Sequence, residues 1–351
     1  MGLVWLLSRR DLSWRRRRLA MAVAGTTVAF ALTLLLTGVR EGIDLEANRT
    51  VDSLGADAFL VSDSVTGPFT SLGQVPAAWA GQVGEIAGVD DAAALASVRH
   101  RIESEPATDV YLVGAEPGRV GMPDVNEGRA PRSTGEAAIG SAAEQRIGDR
   151  VEIGGRSLEI VGIVSGTSVW VSIPVLYVTL PDAQALMFGG EPAATAIVTR
   201  GVPDRLPDGL TALTPTEAVT DLLQPLESAL DTISLIQFLL WIMAATIVGS
   251  MLYISALDRA RDFAVLKAFG TANSKLAGAL VVEAVAISGV SALGAIALAR
   301  PLAELHPGVV SFPAWTVLAL AGLALGVGTV GALAGARRAV AVDPAEAFAG
   351  P

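Results

Sequence analysis

Cysteine is absent from this chain of 351 residues, which excludes disulfides, thiolate zinc sites, iron–sulfur clusters and cysteine nucleophiles. Histidine is nearly as scarce. His100 and His306 lie far apart and neither has a histidine partner nearby, so a histidine-rich metal site is not supported and both read as surface residues. There is no G-x-S-x-G nucleophile elbow. There is no G-x-x-x-x-G-K-[ST] phosphate loop either, because neither lysine, Lys267 or Lys275, follows a glycine. The chain is therefore expected to hold no cofactor and to perform no catalysis, and any ATP and magnesium would be bound by a different polypeptide. Acidic residues such as Asp90 and Asp91, or Glu103, Glu105 and Asp109, lack the spacing of a calcium loop and read as solvated surface. Charge is sparse as well: charged residues are 17% of the chain and hydrophobic ones 52%, against about 25% and about 45–50% in soluble domains.

The apolar excess is concentrated in long runs. Leu19 to Val39 is 21 residues without a charge, and Thr232 to Leu257 is 26. Leu276 to Ala299 is apolar apart from Glu283, and Pro307 to Ala336 gives 30 uncharged residues, with a loop expected near Pro307 and Pro313. A membrane helix needs about 20 apolar residues, so four spans are expected: 19–39, 232–257, 276–299 and 314–336. Basic residues orient them. Arg9, Arg10 and Arg15 to Arg18 precede the first run; Arg259, Arg261, Lys267 and Lys275 fill the second-to-third loop; Arg337 and Arg338 follow the last run. Both ends and the 258–275 loop are therefore expected in the cytoplasm, with 40–231 and a short loop, 300–313, outside. Residues 1–18 read as a basic amphipathic segment on the inner leaflet. Ser8-Arg9-Arg10-Asp11-Leu12 faintly resembles a twin-arginine export signal, but no A-x-A cleavage site closes the following run.

Residues 40–231 carry 12 basic and 28 acidic residues and read as a mixed α/β domain inserted between the first two spans. Asp57 to Val61 and Val110 to Gly114 look like strands. Val151-Glu152-Ile153 and Leu158-Glu159-Ile160 flank Gly154-Gly155 as a hairpin. Val169 to Leu180 is expected to be one strand, and helices are expected at Ala137 to Ile147 and Pro181 to Met187. Ile43, Ala47, Val51 and Leu54 recur at helical spacing with no breaker before Gly55, so the first membrane helix is expected to continue outward as a stalk. Pro215 to Ser234 is expected to run as a second stalk into the second span.

Some of these residues form motifs. The loop Asp258-Arg259-Ala260-Arg261-Asp262-Phe263-Ala264-Val265-Leu266-Lys267-Ala268-Phe269-Gly270 puts Phe263, Leu266 and Phe269 on one helical face edged by charge, a knob suited to a groove on a soluble partner. Gly270 suits its stop. Asp343-Pro344-Ala345-Glu346 is a capped helix start: Asp343 as N-cap, Pro344 first and Glu346 third. Glu283 is a carboxylate within an apolar run, a functional candidate by default. Gly322, Gly326, Gly331 and Gly335 suggest close helix packing within one bundle.

Three of these regions resemble the FtsX/MacB/LolC group of ABC permeases, the type VII or mechanotransmission transporters. The loop is similar to the family's R-x-E-I-G-V-L-K-A-L-G-A coupling segment, with Asp262, Phe263, Ala264 and Phe269 as departures. The tail Asp343-Pro344-Ala345-Glu346-Ala347-Phe348 resembles the closing D-P-A-E-A-L. The ordered pieces Gly128-Arg129-Ala130-Pro131, Glu136 to Ile139, Ile147 to Ile153 and Ile160 to Ile163 resemble the MacB periplasmic core. The resemblance implies a multi-pass α-helical membrane protein with four transmembrane helices and a MacB-like extracytoplasmic α/β domain between helices 1 and 2. It implies a bacterial plasma-membrane location and three kinds of partner: a separate cytoplasmic ATPase subunit, a second permease chain and membrane lipids, with no nucleic acid. Arg259, Arg261, Asp262, Phe263, Leu266, Lys267, Phe269 and Gly270 would couple to the ATPase, and Asp343, Pro344 and Glu346 would lie in the cytoplasmic tail. A non-transporting FtsX-like regulator of a cell-wall hydrolase, or a membrane sensor without an ATPase, stays open as an alternative.

Overall fold

Helix α1 (Arg16–Ser53) runs unbroken for 38 residues in the computed structural model, which describes residues 16–71, 73–103, 107–258, 265, 273–306 and 308–341. The expected apolar stripe at Ile43, Ala47, Val51 and Leu54 is buried throughout. Gly55, at φ +63°, ends the helix in the left-handed conformation that glycine adopts without steric cost. The described residues divide into an outer unit, centred on Glu41–Ala229, and a unit of long apolar helices.

The outer unit is built on one large sheet. In chain order its strands are β1 (Ala58–Ser62), β3 (Asp91–Ile102), β4 (Thr108–Ala115), β5 (Glu127–Gly128), β6 (Glu136–Gly140), β7 (Arg150–Ile153), β8 (Arg156–Val164), β9 (Ser168–Val169), β10 (Ile173–Thr179), β12 (Ala196–Arg200) and β13 (Leu210–Leu213). A separate ribbon pairs β2 (Val75–Pro76) with β11 (Ala193–Ala194). The main order is β13-β1-β12-β3-β4-β10-β6-β8-β5, with β7 on β8 and β9 on β10. The β10–β4 and β6–β8 pairs are parallel and the others antiparallel.

Both faces of this sheet are covered, so its central strands are apolar in continuous runs instead of alternating with polar residues. Leu60, Ala94, Leu112, Ile139, Leu176 and Ile197 enter one core with Val83 of α2 (Trp79–Gly84) and Ala183 of α3 (Leu180–Met187). Their chain neighbours Phe59, Leu95, Tyr111, Ala138, Tyr177 and Val198 enter a second core on the opposite face. That second face is closed by Ala47, Val51 and Leu54 of α1 and by Ala218, Val219 and Leu222 of α4 (Pro215–Leu223). Complete burial of a valine or leucine side chain is worth about 1.5–3 kcal/mol and that of an alanine less, so each helix is held by several of these contacts together.

The hairpin at Gly154-Gly155 forms as expected. Ile153 pairs with Arg156 across a two-residue turn with φ of +55° and +71°, the doubly left-handed turn that glycine permits. The helix expected at Ala137 to Ile147 does not form. Residues 136–140 are instead β6, fully enclosed between β10 and β8, and turns follow. Alanine and glutamate favour helix locally, but pairing on both edges and burial on both faces outweigh that preference. The single strand expected over Val169 to Leu180 is split into β9 and β10 by a tight hairpin at residues 170–172. The second stalk is also interrupted: a 3-10 turn, Gln224–Leu226, containing Pro225 separates α4 from α5 (Glu227–Asp258).

The helical unit holds α5, α6 (Asn273–Glu304), α7 (Ala314–Ala341) and the first part of α1. Three described helical stretches are long and apolar enough to cross a membrane: Leu19–Ser53, Pro215–Ile254 and Val281–Glu304. Ala314–Val330 of α7 is a further apolar helical stretch. Residues 300–304, expected in a loop, complete α6. Hydrogen bonds join α1 to its neighbours: Gln237 Nε2 donates to Thr37 Oγ1 at 3.0 Å, Arg40 Nη1 to Ser234 Oγ at 2.9 Å, and Ser291 Oγ to the Val23 carbonyl at 3.3 Å. Gly322 and Gly326 do not mediate the packing expected of them, since a β-carbon at either would meet nothing within 4 Å. The close approach occurs at Gly328, where a β-carbon would lie 3.2 Å from the Ala284 carbonyl and the Ser288 hydroxyl of α6.

Candidate functional site

The sequence-derived coupling residues Arg259, Arg261, Asp262, Phe263, Leu266, Lys267, Phe269 and Gly270 lie outside the described residues, as do Asp343, Pro344 and Glu346. What is described brackets the loop: α5 ends at Asp258, α6 begins at Asn273, and Val265 between them is helical and exposed. Glu283 is half-buried on α6, beside fully buried Ala284, and makes polar interactions of its own. His100 is half-buried on β3, where its Nδ1 accepts the Arg101 N–H at 2.9 Å. Asp109 is paired with Arg99 at 2.7 Å and Arg101 at 2.9 Å, and hydrogen bonds from those guanidinium groups hold its carboxyl below the usual range. For Asp91, burial opposes the charge, but the Val120 N–H and Arg119 outweigh it and lower the pKa. These carboxylates are tied into local structure.

The most organised polar site in the outer unit lies where both stalk ends meet the sheet. On α1, Glu46, Thr50 and Ser53 follow one another at helical spacing, each directly preceding a buried stripe residue. The Thr50 hydroxyl donates to the Ser168 carbonyl at 2.9 Å. The Ser53 and Tyr177 hydroxyls are 3.2 Å apart. Buried Glu46 accepts from the backbone N–H and hydroxyl of Ser172 at 3.3 and 3.4 Å. Burial pushes the Tyr177 phenol up to about 12, and the Tyr111 phenol upward too, so both remain neutral hydrogen-bonding groups.

The second stalk end is capped by Thr214, whose hydroxyl accepts the Glu217 N–H while Glu217 accepts the Thr214 N–H at 2.8 Å, with Pro215 at the first helical position. Asp221, buried on α4, accepts from the Phe69 and Thr70 N–H groups at 2.8 and 3.2 Å and from the Thr70 hydroxyl. The Trp170 indole N–H donates to the Leu222 carbonyl at 2.5 Å. An edge-to-face chain of rings then links Phe59, Phe69, Tyr111 and Trp170 at centroid separations of 5.8, 6.3 and 5.2 Å. Arg99 sits 5.9 Å over the Trp170 ring.

Sequence reasoning found the apolar stripe on α1 and missed this polar network. The available signal was the repeated dipeptide pattern Glu46-Ala47, Thr50-Val51 and Ser53-Leu54, which places a hydrogen-bonding residue directly before three of the four stripe residues.

Residues 19–212 match the MacB-like periplasmic core domain, and residues 234–344 match the FtsX-like permease C-terminal domain. The chain belongs to the FtsX/MacB-like family of ABC transporter permeases. An uncharacterized ABC transporter permease of Mycobacterium bovis is 42% identical over 345 residues, covering 97% of this chain and 98% of its own length. One from Mycobacterium tuberculosis is 40% identical over 343 residues, covering 97% and 98%. Among solved structures, the extracellular domain of the noncanonic ABC-type transporter YknZ from Gram-positive bacteria aligns with 42% of this chain and 83% of its own, at 17% identity and a TM-score of 0.31. The periplasmic region of MacB from Actinobacillus actinomycetemcomitans aligns with 52% and 87%, at 14% identity and a TM-score of 0.32. The permease is thus a multi-pass membrane protein whose first span leads into a MacB-like α/β domain.

Proposed function

We propose that this permease works as a mechanical relay, in which a separate cytoplasmic ATPase subunit drives movement of the outer domain in export or mechanotransmission. The observation that carries this reading is the unbroken α1. Its 38 residues rise about 57 Å at 1.5 Å each, close to twice the roughly 30 Å hydrocarbon core, and its end is buried in the outer sheet's core. A rod of that kind transmits displacement without chemistry of its own.

In this reading the spans are four, at 19–39, 232–257, 276–299 and 314–336, with 1–18, 258–275 and 337–351 in the cytoplasm of a bacterial cell and 40–231 and 300–313 outside. Two permease chains assemble with two ATPase subunits, which supply the ATP and magnesium sites. The ATPase docks on Phe263, Leu266 and Phe269, edged by Arg259, Arg261, Asp262 and Lys267 and stopped at Gly270, with Asp343, Pro344 and Glu346 in the adjacent tail. Glu283 serves as an intramembrane polar contact.

Charging the knob with Phe263→Glu and Leu266→Glu is expected to abolish co-purification of the ATPase while leaving permease yield in detergent unchanged. Normal co-purification would remove the docking face. Reporter tags placing 40–231 in the cytoplasm would overturn the topology.

A further inference from the structure

Trp170, Val171 and Ser172 have φ of +48°, +68° and +69°, three consecutive non-glycine residues in the left-handed region. These are the only non-glycine residues of positive φ among those described, and Val171 is β-branched, the type that tolerates this region least. Such a backbone persists only where its surroundings over-determine it. The restraints here come from two different helices. Trp170 is anchored on α4 through the Leu222 carbonyl and on the sheet through Tyr111; Ser172 is anchored on α1 through Glu46; Ser168, at the base of the hairpin, holds Thr50 of α1.

We propose that the 170–172 hairpin is a strained latch that clamps the ends of α1 and α4 to one face of the outer sheet and releases both together. A displacement of either helix that breaks its hydrogen bond removes part of what maintains the strain. The hairpin then relaxes toward ordinary backbone angles and withdraws from the other helix as well. The joint therefore has two states instead of bending gradually, and a small movement of one stalk frees both. This rests on the reading that the stalks carry motion, and it adds where that motion is gated.

Because the native chain has no cysteine, probes attach only where cysteine is introduced. Asn48 of α1 and Thr220 of α4 are exposed. Spin labels at Asn48→Cys and Thr220→Cys in the full-length permease in nanodiscs report the separation of the two helices by pulsed electron paramagnetic resonance. Trp170→Phe, which keeps an aromatic ring against Tyr111 but loses the N–H, and Glu46→Ala, which loses the acceptor, are each expected to raise the population at the longer, released distance by about fivefold or more. That is the ratio expected for an anchor contributing one or two kcal/mol. Adding Val171→Gly to Trp170→Phe relieves the strain and is expected to pull the population back by a few-fold.

Unchanged distances in both anchor variants, or a Val171→Gly change that increases release, would overturn the latch. If nucleotide on the ATPase partner moves the labels while both anchor variants match the parent, the latch fails and the relay stands. If the anchor variants shift the distances and nucleotide does not, the latch stands and the relay fails.

Discussion

Replacing Asp221 by alanine removes one buried carboxylate that serves three donors in the loop before β2: the N–H groups of Phe69 and Thr70 and the Thr70 hydroxyl. Phe69 is 5% exposed, so its N–H cannot turn to water without moving a ring that packs on both Phe59 and Tyr111. A buried donor left without an acceptor costs about 1–3 kcal/mol, while the half-buried Thr70 groups recover part of their loss from solvent. The expected cost for Asp221→Ala is therefore about 3 kcal/mol. For a domain of this size, each kcal/mol lowers Tm by about 2–4 °C, so the outer domain should melt roughly 6–12 °C lower. Asp221→Asn keeps one acceptor oxygen and should lose less than half as much. Hydrogen exchange by mass spectrometry on the detergent-solubilised permease, followed with temperature, localises the effect: amides around Phe69 and Thr70 should exchange faster in Asp221→Ala. A Tm within 1 °C of the parent together with unchanged exchange at these amides would refute the assignment of Asp221 as the anchor of this loop.

Three further outcomes are expected. Gly328→Leu should lower the Tm of the solubilised permease by several degrees, because its side chain would enter the Ala284 carbonyl and Ser288 hydroxyl, whereas Gly322→Leu should be tolerated; equal effects would contradict the α6–α7 packing. The Arg129 guanidinium, at 2.6 Å, and the Arg132 N–H hold Glu136 at about 2. Since that value is depressed, the stability it contributes is complete above the ordinary carboxylate value of about 4.3 and is lost as pH falls toward about 2. Acid unfolding of Glu136→Gln should be correspondingly flatter over that window, with the difference shrinking at high salt because Arg129 is partly exposed. Charging Phe263 and Leu266 should uncouple the ATPase, as read by co-purification.

How much of this was legible in the sequence varied with how locally each feature is determined. The long apolar runs and the Ile43–Leu54 stripe were readable because a helix encodes its buried face in its own spacing. The Gly154-Gly155 turn was readable because its backbone angles demand those residues. β6 was not: Glu136-Ala137-Ala138-Ile139 carries helical preference, and only its enclosure by β10 and β8, strands more than 15 residues away in the sequence, makes it a strand. The hairpin at 170–172 was hidden inside a β-branched run, because what bends it is Glu46 and Leu222, more than 50 residues distant on either side. Gly322 and Gly326 matched a packing motif, but the helix presents Gly328 to its neighbour, and spacing alone does not reveal rotation about the helix axis.

The two-sided sheet has a genetic corollary. Adjacent residues of one strand answer to different helices: Tyr111, Val175 and Val198 lean toward α1 and α4, while Leu112, Leu176 and Ile197 lean toward α2 and α3. A mutational scan along β4, β10 or β12 should consequently read out with a period of two. Every second position would loosen the seating of α1 and α4, and the positions between would loosen that of α2 and α3.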